Sequence, residues 1–228
     1  RVLAGYDRVE VDPTAHDALA VHARQGGPGR AVLALGLANS ETGLITEPPA
    51  PEQGRHLLLD ITQAVGRIPF AFSWSGAEMA ILSAHKLGGP KGVGALILRD
   101  GIQIAALAQG GGQESGHRAG TENVIGIAGF GAAAEAAMRD LDTGCMVRVA
   151  QLRNILEETL AAAFPMTIFV GQGRTRLPNT SCIATPGWKA ETQVMQMDLA
   201  GFAVSAGSAC SSGKVRPSRV LTAMGYDE

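Results

Sequence analysis

The chain has 228 residues, a length that allows one large hydrophobic core or one core with part of a second. Apolar residues make up 46% of the chain and charged residues 18%, a composition that excludes intrinsic disorder. The formal net charge is −2, from 19 basic and 21 acidic side chains without a basic cluster, which argues against a nucleic-acid-binding protein.

The sequence predicts neither a membrane span nor a targeting segment. The longest uninterrupted run of apolar residues and glycine, residues 124–134, is too short to cross a bilayer. The N-terminal residues lack an apolar targeting core. Three cysteines are too few for a disulfide scaffold and lack metal-ligand spacing. We therefore expect a cytoplasmic protein without a metal site.

Strands and helices alternate in the predicted secondary structure. A helix is expected from Asp12, an N-cap residue followed by Pro13, to about Arg24. Residues 31–38 form an unbroken apolar run, which is typical of a buried strand in a parallel sheet. Three more strands are predicted over residues 56–59, 79–83 and 93–99. Prolines at 48, 49 and 51 argue against a long crossover helix before the first of these.

The second half of the chain contains the clearest helical patterns. An alanine-rich helix is predicted over residues 121–140, and an amphipathic helix over 146–163. Short strands over 167–170 and 180–184, a helix over 191–199 and a strand over 202–205 complete the pattern. The fold class is therefore α/β with a mainly parallel sheet.

A domain boundary is expected near residues 141–145, where the alanine-rich helix ends in two aspartates and a glycine. Residues 1–140 would form a large domain, and residues 141–228 part of a smaller α+β domain. The chain begins in what reads as an unfinished strand and stops just after a predicted helix. We therefore expect it to be a fragment of a longer protein.

Polar side chains follow three predicted strands, in segments 39–43, 60–63 and 83–86. Ligands of parallel α/β sheets bind beyond the carboxyl ends of the strands. Asp60 directly follows three leucines and is interpreted either as a strand-end cap or as a buried charge partner. Gln63, about one helical turn later, would face the same crevice.

Lys86 lies at the end of a predicted strand, before a glycine-rich loop with room for a bulky ligand. A desolvated lysine has a lowered pKa and becomes a Schiff-base nucleophile. Asp60 could then pair with the pyridinium nitrogen of pyridoxal phosphate (PLP). A solvated loop lysine is the plainer alternative. A nucleotide-binding phosphate loop is excluded because its Gly-x4-Gly-Lys-Ser/Thr pattern is absent.

Two further glycine-rich loops carry candidate groups. Residues 110–123 run into the alanine-rich helix, so Thr121 either helps to bind an anion or is simply the N-cap. Cys210 has only small neighbours, which favours an exposed thiol nucleophile on a mobile loop. Cys145 and Cys182 are expected to be buried and inert.

Five motifs, in this order, resemble the NifS/IscS-like cysteine desulfurases of the class V aminotransferase family. They are Asn39-Ser-Glu-Thr-Gly, Asp60-x-x-Gln63, Ser83-Ala-His-Lys, Arg118-Ala-Gly-Thr-Glu-Asn and Ser208-Ala-Cys-Ser-Ser-Gly. The resemblance implies the fold of the PLP-dependent transferases, similar to aspartate aminotransferase. The large domain would bind PLP, and the smaller domain would carry the catalytic cysteine.

The resemblance also implies a role for each matching residue. Lys86 would bind PLP as a Schiff base, with Asp60 on the pyridine nitrogen and Gln63 on the ring hydroxyl. Asn39 would bind PLP beside Ser40, which replaces the family's second asparagine and would alter the contact with that hydroxyl. The phosphate would be held by Ser83 and His85, together with Thr121 from the partner subunit of a homodimer. His85 would also be catalytic.

The implied reaction is the conversion of L-cysteine to L-alanine. Cys210 would attack the substrate sulfur and keep it as a persulfide. A scaffold or carrier protein would then accept this sulfur for iron–sulfur cluster or thio-cofactor assembly. Two alternatives stay open: a selenocysteine lyase or other class V enzyme, and a non-catalytic truncated remnant that acts as a binding module.

Overall fold

The computed structural model describes residues 7–8, 10–11, 21–22, 31–50, 55–106, 108–207 and 218–226. The chain divides into two compact units. The described residues of 1–11, 21–37 and 48–144 form the first unit, and those of 38–47 and 145–228 form the second. That these units are the PLP-binding domain and the cysteine-bearing domain stays a prediction.

The first unit is built on β-structure. Its strands are β1 (Asp7–Arg8), β2 (Glu10–Val11), β3 (Val21–His22), β4 (Ala31–Gly36), β5 (Arg55–Asp60), β6 (Met79–Ser83) and β7 (Gly94–Leu98). Five of them form one sheet in the order β1-β4-β5-β6-β7, with β7 antiparallel to β6 and the other pairs parallel. β2 and β3 form a separate antiparallel pair. The mainly parallel sheet confirms the predicted α/β class.

The apolar runs of the sequence form the buried centre of this sheet. Val32, Leu33 and Leu35 of β4 are buried, as are Leu57 and Leu59 of β5. Burying one such side chain contributes about 1.5–3 kcal/mol relative to leaving it in water. The central position of β4 and β5 therefore follows from their composition, and it fixes where their carboxyl ends lie.

Four helices belong to the described residues: α1 (Val124–Asp142), α2 (Cys145–Ala163), α3 (Ala190–Leu199) and α4 (Arg219–Ala223). α1 belongs to the first unit and the others to the second, together with the antiparallel pair β8 (Ile168–Phe169) and β9 (Ile183–Ala184). Leu44, Phe169, Val170 and Leu177 form the apolar core of the second unit.

Two local predictions were wrong. Val21 and His22 of the predicted helix 12–24 lie in β3 and pair with β2, while residues 12–20 and 23–24 fall outside the described residues. Residues 202–205 form no strand, since no described strand pairs with them, and Phe202 and Val204 stay exposed. The predicted helix over 146–163 is confirmed as α2, in which Leu152 and Leu156 are exposed and Glu157 is buried.

The start of α1 also differs from the prediction. The N-cap is Asn123, whose side-chain oxygen accepts a hydrogen bond from the N–H of Gly126 at 3.0 Å. Thr121 therefore precedes the helix and is not its cap. Because this Asn satisfies a donor that the first helical turn leaves unpaired, the helix begins three residues later than predicted.

Candidate active site

In the first unit, the ends of β5 and β6 bring two of the predicted polar segments to one edge of the sheet. The strands are parallel, and Asp60 is aligned with Ile81. Ser83 is therefore only two residues further along the neighbouring strand, a rise of about 7 Å. Segments 60–63 and 83–86 both leave the sheet at this edge.

Asp60 is exposed and caps its own strand end. Its Oδ1 accepts a hydrogen bond from the N–H of Thr62 at 2.9 Å. Of the two interpretations of this residue, the structure thus shows the strand-end cap. The hydrogen bond also fixes the direction of the carboxylate, because such an Asx turn ties the side chain to the main chain two residues on.

Lys86 ends a short 3-10 turn, Ala84–Lys86, that continues β6. Ala84 anchors the turn: its side chain is fully buried, and its N–H donates to the main-chain oxygen of Val93 at 3.0 Å. The side chain of Lys86 is half-buried. Beside it, Ser83 Oγ and His85 Nδ1 are hydrogen bonded at 2.8 Å.

Arg67 belongs to none of the five sequence motifs, yet it contacts this edge of the sheet. Its guanidinium donates to the main-chain oxygens of Gln63 at 2.9 Å and of Lys86 at 2.7 Å. Burial lowers the pKa of this guanidinium, which nevertheless stays charged because an arginine is not deprotonated in proteins. No sequence motif marks such a residue, because its partners are main-chain atoms that only the folded chain brings together.

The loop before α1 is shaped by its own contacts. Glu114 and Ser115 have positive φ angles of 48° and 56°. The guanidinium of Arg118 donates to the Glu114 carboxylate at 3.0 Å and to the main-chain oxygen of Gly120 at 2.7 Å. Thr121 follows this loop and is exposed.

The second unit contains the remaining predicted site residues. Asn39 is half-buried, and its Oδ1 accepts hydrogen bonds from the N–H groups of Glu41 at 2.9 Å and Thr42 at 3.0 Å. Its side-chain oxygen is thus engaged in a local turn, and its NH2 group is the part suited to a ligand. Ser40 is exposed. Cys210 lies outside the described residues.

The donor set of the first unit fits PLP. Asp60 offers a carboxylate for the ring nitrogen, Lys86 an amine for the aldehyde carbon, and the Ser83–His85 pair a hydroxyl and an imidazole for the phosphate. A Cβ built at Gly88, two residues after Lys86, would meet no atom within 4 Å, so there is open space beside the lysine. Among the described residues, no cluster of His, Cys, Asp and Glu could hold a metal ion.

Comparison with known families identifies the chain. Residues 19–225 match the family model of aminotransferase class V. The chain belongs to the class V aminotransferase family. This family is PLP-dependent, in agreement with the cofactor that the motifs predict. None of the described helices is long and apolar enough to cross a membrane.

Curated relatives carry the name cysteine desulfurase. The chain is 44% identical to that of Cereibacter sphaeroides over 202 residues, which covers 86% of this chain and 51% of the relative. It is 45% identical to that of a Frankia species over 213 residues, or 89% of this chain and 50% of the relative. The chain thus spans about half the length of the curated relatives it matches.

A solved structure supports the same fold. The NifS-like protein from Rickettsia africae superposes with a TM-score of 0.77 and 31% sequence identity. The match covers 90% of this chain and 55% of that protein. The expected similarity to NifS-like proteins is therefore confirmed in both sequence and structure.

Proposed function

We propose that the protein is a PLP-dependent cysteine desulfurase that converts L-cysteine to L-alanine and retains the sulfur on Cys210. The observation that carries this proposal is the placement of Asp60, the Ser83–His85 pair and Lys86 at the carboxyl ends of two adjacent parallel strands. The names of relatives at 44% and 45% identity support the choice of reaction.

The side chains of the first unit bind and orient the cofactor in this proposal. Lys86 holds the aldehyde carbon and moves protons at the substrate, and Asp60 keeps the ring nitrogen protonated. Ser83 and His85 bind the phosphate together with the partner subunit's Thr121. Gln63 binds the ring hydroxyl. When bound, PLP supplies an electron sink for the bonds around the substrate's α-carbon.

Cys210 is the nucleophile. Its thiolate attacks the sulfur atom of the substrate, a new S–S bond forms, and the C–S bond breaks. The electron pair of the C–S bond stays with the carbon skeleton, which takes up a proton and leaves as alanine. The persulfide on Cys210 then passes its outer sulfur to the thiol of an acceptor protein.

The partners and the location are part of the proposal. We infer a homodimer, because the motif that ends in Thr121 resembles a segment that reaches the partner's phosphate. A scaffold protein for iron–sulfur clusters or a thio-cofactor carrier would accept the sulfur. The cytoplasm suits this chemistry, since it keeps thiols reduced, and the described Cys145 and Cys182 are free thiols.

Replacement of the nucleophile tests the proposed reaction. In the full-length protein, Cys210→Ser should bind PLP and cysteine but form no persulfide and no alanine above background. Cys145→Ser and Cys182→Ser are the matched controls and should retain activity. If labelled sulfur reached Cys145 or Cys182 of the Cys210→Ser protein at an undiminished rate, the proposed reaction would be wrong.

A further inference from the structure

Arg67 connects the two main-chain segments that bear Asp60 and Lys86. One of its terminal nitrogens donates to the main-chain oxygens of Gln63 at 2.9 Å and Thr62 at 3.4 Å. The other donates to the main-chain oxygen of Lys86 at 2.7 Å. A guanidinium is planar, with its donors in fixed directions, so it holds two acceptors at a set separation.

The turn after β5 places this guanidinium. The N–H of Val65 donates to the oxygen of Ile61 at 3.1 Å, and that of Arg67 to the oxygen of Ala64 at 3.0 Å. Gly66 has a φ of +77°, and a Cβ at this position would lie 2.8 Å from the Cβ of Ala137. Only glycine satisfies both conditions without strain. The turn brings the Arg67 side chain back to the main-chain oxygens of Thr62 and Gln63.

Among the described residues, the charge of Arg67 has no carboxylate partner. Each of its hydrogen bonds within the described part of the chain ends on a main-chain oxygen. Arg67 is half-buried, and removing part of a cation from water costs free energy that these hydrogen bonds offset. The contacts also impose a geometry on the main-chain segments that they join.

Lys86 lies beyond the paired part of β6. The register between β6 and β7 ends at Ser83, three residues earlier. At the other end, the carboxylate of Asp60 accepts from the N–H of Thr62. A continuous series of hydrogen bonds thus leads from the Asp60 carboxylate through Thr62 and Arg67 to the main chain of Lys86.

We propose that Arg67 is a positioning residue that sets the place of Lys86 relative to Asp60 and thereby the fit of PLP. The inference rests on the proposed function, namely that PLP binds to Lys86. Arg67 acts through the main chain of Lys86 and Gln63, so its replacement shifts the cofactor's partners without removing any of them.

Equilibrium binding of PLP to the full-length protein, without substrate, tests this role. Arg67→Met should weaken PLP affinity by on the order of tenfold, or about 1.4 kcal/mol, and change the visible circular dichroism of the bound cofactor. Arg67→Lys should lie between Arg67→Met and the wild type, because an ammonium keeps the charge but cannot span both carbonyl groups. If Arg67→Met does not fold, the PLP affinity of Arg67→Lys alone tests the role.

Arg99→Met is the matched control. Arg99 also donates to main-chain oxygens, those of Phe72, Ser73 and Ala77, but none of these belongs to the segments of Asp60 and Lys86. This variant should keep the affinity and the dichroism of the wild type. Wild-type values in both Arg67 variants, or an equal change in Arg99→Met, would refute the positioning role alone. A wild-type protein that binds no PLP would instead refute the proposed function.

Discussion

Cys182 shows how the surroundings of one residue decide its reactivity. It is half-buried, and burial, with a smaller contribution from the Glu41 carboxylate, raises the pKa of its thiol to about 11. Cys145, at the start of α2, is exposed. Both were expected to be buried, and for Cys145 this is wrong, because the residue opens a helix at the surface.

We predict that iodoacetamide labels Cys145 much faster than Cys182 in the folded protein. With a pKa of about 11, only roughly one Cys182 thiol in a thousand is a thiolate near pH 8. Labelling rates measured by peptide mass spectrometry check this, with urea-unfolded protein as the control in which both react alike. Equal rates in the folded protein would contradict the assignment of Cys182 as inert.

At the scale of elements, α2 is held by a polar contact that its sequence pattern does not reveal. Glu157 and Arg176 form a bidentate ion pair with distances of 2.9 and 2.8 Å, and Ser181 donates to the same carboxylate at 2.7 Å. The two charged side chains are only 8% and 5% exposed. A hydrophobic pattern in the sequence predicts which face of a helix is apolar. The buried contact of α2 is instead a carboxylate whose hydrogen bonds are satisfied by Arg176 and Ser181.

The acid stability of the protein should depend on this pair. Burial by itself would raise the pKa of Glu157, but the hydrogen bonds from Arg176 and Ser181 outweigh it and hold the pKa below its ordinary 4.5. Because the pKa of the folded state is depressed, the stabilisation is present above about pH 4.5 and is lost as the pH falls through the folded-state value.

Arg176→Met should lower the free energy of unfolding by about 3–5 kcal/mol near neutral pH, because it leaves a buried carboxylate unpaired. Urea unfolding followed from neutral pH to acid measures the effect. The loss should shrink in acid, where the wild type loses the same contact. Arg148→Met, on the exposed side of α2, is the control. An Arg176→Met protein as stable as Arg148→Met would show that the pair does not hold the helix.

The elements that were predicted correctly are those whose sequence pattern lies within the element itself. Residues 79–83 form β6 as predicted, since a short apolar run between turn residues needs no distant partner to be recognised. Val21 and His22 were assigned to a helix because nothing nearby shows that Glu10 and Val11 pair with them. Long-range strand pairing overrides local propensity.

The same distinction between local and long-range information applies to the residues of the candidate site. Asp60, Ser83, His85 and Lys86 were proposed because polar residues at the ends of parallel strands lie where ligands bind, and their roles stay predictions. Arg67 was missed because it acts on main-chain oxygens, which every residue has.

For the whole molecule, exposed apolar surface at the start of α1 supports the proposed homodimer. Ile125 is 87% exposed and Val124 69% exposed, directly after the loop that ends in Thr121. Exposed apolar side chains of this size are candidates for burial in an interface. Both residues lie next to the segment that, by resemblance, reaches the partner's cofactor.

Sedimentation of the full-length, PLP-bound protein should therefore show a dimer at micromolar concentration. Ile125→Asp should weaken the dimer, because it places a charge in the apolar interface. Asp140→Asn, near the other end of the same helix, should leave it unchanged. A PLP-bound wild-type protein that sediments only as a monomer would contradict the proposed assembly.

The central claim is that Lys86 is the residue that carries PLP. Borohydride reduction of the PLP-bound, full-length protein, followed by peptide mass spectrometry, tests it most directly. The reduced cofactor should be found on Lys86, and the Lys86→Ala protein should retain none. Recovery of the cofactor on another lysine, such as the nearby Lys91, or on Lys86→Ala protein at wild-type yield, would contradict it.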